Sequence, residues 1–114
     1  MITQELLDKI SFKIIASSGE ARSHFIEAMT LASNNDFASA QKAIEEGYLS
    51  QQKAYVYHYD LIENELNQKI PINMLVIHAE DTLSSTEIIK VMAENAIKQY
   101  RRLNALEKKI EVCT

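Results

Sequence analysis

The stretch MLVIHAEDTLSS, Met74 to Ser85, decides how this chain is read. It opens like a core segment, then sets His78, Glu80, Asp81, Thr82 and two serines where apolar residues would continue. Advancing about 100° per residue from His78, as an α-helix does, brings Met74, Leu75, Ile89, Met92, Ala93, Ala96, Tyr100 and Leu103 to within about 60° of it. Glu80, Glu87, Lys90, Glu94, Lys98 and Arg101 fall on the far side. That separation is the signature of an amphipathic helix. The wheel predicts that His78 lies near the centre of the buried stripe, with Asp81 to one side, Thr82 to the other and Ser85 near the middle. It predicts Val76 and Leu83 on the outer side, as a docking surface or a contact with another subunit.

Working outward, NQKIP at Asn67 to Pro71 is a connection, and proline suits the first turn of a helix. The third helix is therefore predicted over about 71–109. Upstream, Asp36 is a predicted N-cap after the turn SNND, and Phe37, Ala40, Ile44, Tyr48, Gln51, Tyr55, His58, Ile62 and Leu66 recur at helical spacing. The second helix is predicted over about 36–66. YVYHY, Tyr55 to Tyr59, has the aromatic content of a strand, but no partner strand is visible and it reads as helix. Thr3 is a predicted N-cap for a first helix over about 4–32, whose stripe is Leu6, Ile10, Ile14, Ser17, Ala21, Phe25, Ala28 and Ala32. The stripe keeps its phase through Gly19, which predicts a kink or a close backbone contact rather than a loop. Short connections make neighbouring helices antiparallel, so the fold class is all-α, an up-down-up three-helix bundle in one domain, 1–114.

Composition agrees. Two glycines and one proline in 114 residues are too few for the turns of an all-β fold. The net charge of −4 and the absence of a basic block argue against nucleic acid as a partner. The basic piece KQYRRL, Lys98 to Leu103, reads as a solvated helix face. The single cysteine, Cys113, excludes an intrachain disulfide and a cysteine zinc cluster, and fits a free thiol in a reducing compartment. The N-terminus has no signal-peptide pattern, and no window approaches the apolar length of a membrane span.

A histidine, an aspartate and hydroxyls on one helix face admit three readings. They can be a satisfied core or interface cluster, since burying such groups without partners costs a few kcal/mol each and more for an ionised Asp81, on the order of magnitudes for unpaired polar groups. They can be a metal site, because His-x-x-Asp puts both side chains on one face, although the Glu-x-x-His pairs of di-iron bundles are missing. They can surround a reactive imidazole, which is neutral and nucleophilic near neutral pH. His24 reads as a boundary residue. His58, on the inner stripe of helix 2, either approaches the notch around His78 or packs between helices.

The residues IIASSGEARSHFIEAMTLASNNDFASAQKAIEEG followed by VIHAEDTLSS resemble the enzyme IIA component of the lactose/cellobiose family of the sugar phosphotransferase system. The resemblance rests on SGEAR (Ser18 to Arg22), Asp36–Phe37 and the His-Ala-x-Asp core at His78 to Asp81, and covers nearly the whole chain. It implies a cytoplasmic homotrimer of three-helix bundles, with no membrane insertion. It implies that His78 accepts a phosphoryl group from the histidine-containing phosphocarrier protein and passes it to a cysteine of the IIB component, for uptake of β-glucoside- or lactose-type sugars. It implies that Asp81 from three copies holds a structural divalent cation at the trimer axis, magnesium by the hardness of its oxygen ligands. Thr82, Ser85, His58 and Gly19 are the candidate supporting residues around His78.

The chain also departs from the family pattern. Where the family commonly reads His-Ala-Gln-Asp-His, this chain has Glu80 and Thr82; where it commonly reads Ala-His-x-x-Gln-Thr, this chain has Ala54-Tyr55-x-x-His58-Tyr59. The wheel turns Glu80 outward and Thr82 inward, so the second change removes an imidazole from the site. These departures leave open a non-catalytic helical adaptor or regulator built on the same fold. A metal-storing bundle needs more ligands than the sequence supplies.

Overall fold

The computed structural model describes residues 2–113. Three helices account for nearly all of them: α1 (Gln4–Ser33), α2 (Phe37–Asn67) and α3 (Met74–Cys113). Each start has a local cause. The Thr3 side chain accepts a hydrogen bond from the Leu6 amide at 3.1 Å, closing one of the orphan donors of α1. Asn35 takes a left-handed φ of 64° in the tight α1–α2 turn, a conformation asparagine tolerates better than most residues. Asp36 then caps α2 through Ser39 N at 3.2 Å. Asn73 Oδ1 accepts from Val76 N at 2.9 Å and caps α3. That cap moves the start of α3 to Met74, three residues beyond the Pro71 start read from sequence; Pro71 belongs to the connection. The predicted spans of α1 and α2 agree with the observed ones to within one residue at each end.

The helices do not pack as equals. α1 packs closely along both α2 and α3, whereas α2 and α3 stand farther apart and touch mainly through long side chains. α1 is thus the spine, and the body is elongated, with principal extents of 70 × 19 × 17 Å. Two apolar clusters hold it. One joins Ala21, Phe25, Ala28 and Ala32 to Ala40, Ala43, Ile44, Ala93 and Ile97. The other joins Leu7, Ile10 and Ile14 to Ala54, Leu61, Ile70, Ala79 and Leu83. Between them lies a polar belt in which Ser18, Ser50, Gln51 and Thr86 are all buried. Tyr48 borders the first cluster; burial, together with the Glu94 carboxylate beside it, pushes its phenol above the ordinary value of 10.0.

Several sequence expectations change here. Leu83 is buried and Val76 packs against the second cluster, so both face inward, not outward. His78 and Asp81 are exposed, so the stripe centred on His78 is not the core line. The reason is that α3 has apolar residues on two faces. Its own chain covers the one carrying Ala79, Leu83, Ala93 and Ile97, which join the two core clusters. The other face leaves Met74, Ile77, Ile88, Val91 and Met92 exposed. In α2 the observed inner line uses Ala43, Gly47, Ser50 and Ala54, and leaves Ile62 and Leu66 out. In α1, Leu7 and Ser18 replace the predicted Leu6 and Ser17.

Gly19 is neither a kink nor a close contact within the chain: α1 is unbroken, and a Cβ added there meets nothing within 4 Å. Gly47 is the glycine that packing requires. A Cβ on it would lie 2.7 Å from Cδ1 and 2.9 Å from Cζ of the fully buried Phe25 ring. Gly47→Ala is therefore expected to destabilise the protein by about 1–3 kcal/mol through overpacking. Gly19→Ala is expected to be neutral or stabilising by up to about 1 kcal/mol through helix propensity. Urea unfolding of the two variants measures both; equal midpoints would show that the Phe25 ring yields to the added methyl.

Candidate functional site

The site is built on the first three turns of α3. At about 100° per residue, the buried line of α3 through Ala79, Thr86, Ala93 and Ile97 lies about a quarter turn from His78. On the other side of His78 begins the exposed line of Met74, Ile77, Asp81, Ser84, Ile88 and Val91. His78 therefore stands on a flank, at the border between the face its own chain covers and the face it leaves open. An imidazole there is accessible to a docking protein, which a core position would forbid.

A ladder of hydroxyls fixes the backbone beneath it. Thr82 Oγ1 donates to the His78 carbonyl at 2.7 Å, and Thr86 Oγ1 to the Thr82 carbonyl at 2.8 Å. Ser85 Oγ donates to the same Thr82 carbonyl at 3.1 Å. Such bonds from Thr and Ser to a carbonyl one turn back bend a helix slightly and occupy the hydroxyls. Thr86 also reaches the Ser18 carbonyl of α1 at 3.3 Å, tying the ladder to the spine. Arg22 of α1 extends a guanidinium N–H to Ser85 Oγ. Thr82 and Ser85, both singled out from sequence, are thus joined to the turn that carries His78.

Arg22 is the residue that sequence reasoning undervalued. It figured there only as part of the SGEAR resemblance, not as a member of the site. Its Nε is buried without a hydrogen-bond partner among the described residues, as are Ser18 Oγ and Gln51 Nε2 of the neighbouring belt. A half-buried arginine amid Ala21, Phe25 and Ala28 was the available signal, since such a cation is costly unless it has a task.

His58 does not join His78. Its Nδ1 lies 2.7 Å from Glu80 Oε2, across the α2–α3 contact. Residues 78 and 80 point about 160° apart on the helix, so the pair occupies the opposite flank. Glu80, expected to face outward, instead faces α2, and both partners are partly buried, with side chains 23% and 35% exposed. Tyr55 and Tyr59 surround the imidazole, with ring centroids 6.5 and 5.6 Å from it. The changes at Tyr55, His58, Tyr59 and Glu80 thus meet one another in a single contact. Gly19 leaves open surface on α1, one turn before Arg22. His24 sits at the boundary, 3.5 Å from Glu46 Oε2.

A single chain offers no group of three His, Cys, Asp or Glu side chains able to hold a metal among the described residues. Asp81 is exposed on the open line of α3. No helix among the described residues is long and apolar enough to cross a membrane.

Comparison with known proteins agrees with this geometry. The family model described as PTS system, Lactose/Cellobiose specific IIA subunit matches residues 9–101. The lichenan-specific phosphotransferase enzyme IIA component of Bacillus subtilis is 32% identical over 100 residues, covering 87% of this chain and 91% of that protein. The lactose-specific EIIA component of Staphylococcus aureus is 31% identical over 102 residues, covering 89% and 99%. The crystal structure of the PTS cellobiose specific enzyme IIA from Bacillus anthracis superposes with a TM-score of 0.85 at 32% identity, covering 92% of this chain and 95% of that one. With the family model spanning most of the chain and the three-helix fold shared over nearly its whole length, the chain belongs to the lactose/cellobiose-specific IIA subunit family of the sugar phosphotransferase system.

Proposed function

We propose that this chain is a phosphocarrier that takes a phosphoryl group onto His78 from the histidine-containing phosphocarrier protein and hands it to a cysteine of a IIB component. The observation that carries the reading is the position of His78, exposed at the border of the open α3 face with its own turn braced by Thr82. Neutral His78 attacks phosphorus in line through Nε2. The P–N bond to the donor histidine breaks as the new P–N bond forms, and the proton given up by Nδ1 of His78 balances the one the departing donor imidazole takes up. In the second transfer a IIB thiolate attacks, a P–S bond forms and the His78 imidazole leaves. Such transfers depend on alignment and charge stabilisation rather than on covalent work by the protein. The chain supplies an accessible ring on a rigid turn and open apolar surface around it. It has no need of a sugar pocket, and the resemblance points to β-linked disaccharides or aromatic β-glucosides as the cargo of the transporter. The cytoplasm, where both phosphoryl partners act, is the compartment this role requires.

The open face of α3 is where a homotrimer would close. Met74, Ile77, Asp81, Ser84, Ile88, Val91 and Asn95 alternate steps of three and four residues, the spacing of a coiled-coil seam. In a threefold assembly about this seam, three Asp81 carboxylates converge on the axis. Three like charges in an apolar seam would repel unless a cation lies between them, and hard oxygen ligands suit magnesium. The cation would neutralise that cluster and add no step to the transfer. The same closure would place a neighbouring copy beside each His78, where it can offer a hydrogen bond to Nδ1.

The decisive experiment incubates the protein with phosphoenolpyruvate, enzyme I and the histidine-containing phosphocarrier. The expected result is a mass gain of one phosphate, acid-labile and absent from His78→Gln, whose far-ultraviolet circular dichroism matches the parent. Uptake of phosphate by His78→Gln would refute the assignment, and no uptake by the parent would leave the adaptor reading in its place. Asp81→Asn, in turn, is expected to make the trimer indifferent to chelator, whereas the parent loses trimer mass in light scattering when divalent cations are removed. A parent trimer unaffected by chelator would exclude the cation.

A further inference from the structure

The turn that carries His78 is held lightly by its own chain. From Met74 to Asp81 only Ala79 is buried, while Met74, Ile77, His78 and Asp81 are exposed. Thr82 braces the backbone of this turn from within α3, which fixes its shape but not its rotation about the helix axis. The Ala79 methyl sits close to that axis, so a small rotation moves it little. The imidazole is a longer lever. Its Nε2 reaches roughly 7 Å from the axis of a helix whose Cα atoms lie at about 2.3 Å, so a rotation of about 10° displaces it by about 1 Å. Alignment-dependent transfers are sensitive on that scale, and a misplacement of about 1 Å can cost on the order of a hundredfold in rate.

The His58–Glu80 contact resists such a rotation with comparable leverage, because Glu80 reaches out from the flank opposite His78. Both of its carboxylate oxygens lie within reach of His58 Nδ1, Oε2 at 2.7 Å and Oε1 at 2.9 Å. The partial burial of both side chains limits competition from water. His58 is itself held in place. Its ring lies between Tyr55 and Tyr59, which stack on each other with centroids 6.1 Å apart and planes 21° apart. Tyr55 in turn packs on the second apolar cluster. A restraint therefore runs from the core through Tyr55 and His58 to Glu80, and through two residues of helix to His78. α2 and α3 stand apart here, so a long side chain is what spans the gap.

We propose that His58 and Glu80 are positioning residues for His78: their hydrogen bond sets the rotation of the first turns of α3 against α2, and with it the direction in which the His78 ring meets a docked phosphoryl donor. The proposal rests on the phosphocarrier reading of His78. It adds two residues on the far flank of the helix that never touch the phosphoryl group, and it gives the changes at positions 58 and 80 a joint purpose.

Glu80→Ala and His58→Phe each remove the bond, the second while keeping an aromatic ring between the tyrosines. Glu80→Gln keeps an oxygen that accepts from Nδ1–H. Phosphoryl uptake by the full-length protein from the charged histidine-containing phosphocarrier is expected to slow about tenfold at saturating donor in the first two variants, with the half-saturating donor concentration within about twofold of the parent. Glu80→Gln is expected to transfer near the parent rate. Amide exchange in the peptide spanning residues 74–83 is expected to quicken in the first two variants and not in Glu80→Gln. Phosphoramidate supplies the contrast. It phosphorylates an accessible imidazole nitrogen with loss of ammonia and needs no docked geometry. Its rate at His78, read by mass spectrometry of that peptide, is expected to match the parent in every variant. Either disrupting variant tests the bond if the other fails to fold. Full-rate uptake from the phosphocarrier in a folded Glu80→Ala or His58→Phe overturns the proposal, as does unchanged amide exchange. A loss confined to the half-saturating concentration overturns it by placing the pair in the docking surface, and an equal loss with phosphoramidate overturns it by placing the effect in the ring's own reactivity. Each of these results leaves His78 as the acceptor. A parent that takes up no phosphate overturns the carrier reading and this one together.

Discussion

The constraint on which the rest depends is that α3 has two apolar faces and its own chain can cover only one. α1 takes the face with Ala79, Leu83, Ala93 and Ile97, whose side chains complete the two core clusters. α2 then packs on α1 and stands farther from α3, touching it mainly through long side chains. The face with Met74, Ile77, Ile88, Val91 and Met92 remains in water. Contiguous exposed apolar area of this kind marks an interaction surface in a protein that is otherwise ordinary in composition. The position of His78 follows directly: it lies on the border where the covered face gives way to the open one.

The polar belt gives that border its rigidity. Ser18, Ser50, Gln51 and Thr86 separate the two apolar clusters, and Arg22 crosses from α1 to Ser85 at the belt's edge. A continuous hydrophobic core would bury more apolar area. The belt offers in exchange directional bonds that set the register of α3 against α1, and Thr82 extends them to the carbonyl of His78. Ser18 Oγ, Arg22 Nε and Gln51 Nε2 have no protein partner among the described residues, so the belt has donor capacity that helix packing alone does not use. The phosphocarrier role proposed for His78 would benefit from such an arrangement, since phosphoryl transfer depends on alignment of the reacting groups.

The departures from the family pattern acquire a physical meaning in the fold. Read along the chain, Glu80, Tyr55, His58 and Tyr59 are separate oddities. In space, His58 and Glu80 form one hydrogen-bonded contact walled by the two tyrosines. A histidine and a glutamate that compensate each other across the thin α2–α3 contact strengthen the weakest junction of the body. Thr82 is a different case. It stands where the family commonly has a second imidazole, and it uses its hydroxyl on the His78 carbonyl, supporting the helix rather than the His78 ring.

Much of this protein was legible in residue order. Helix periodicity, the caps at Thr3 and Asp36, and the scarcity of glycine and proline specify three long helices and their two turns, because these signals act within a few residues of one another. The SGEAR and His-Ala-x-Asp pieces identify the family and single out His78, Asp81, Thr82 and Ser85. Only the tertiary structure decided which face of α3 turns inward. A helical wheel ranks faces by apolar content, and α3 has apolar residues on two faces; the choice between them is made by contacts with α1 and α2, which bury Leu83 and Ile97 and leave Met74 and Met92 exposed. For the same reason the wheel misplaced Val76, Leu83 and Glu80, and assigned to Gly19 the close approach that Phe25 imposes on Gly47. The pairing of His58 with Glu80 and the reach of Arg22 to Ser85 join residues 22 and 63 positions apart in the chain. Such contacts exist only once the helices are laid side by side, and no local rule contains the distance between them.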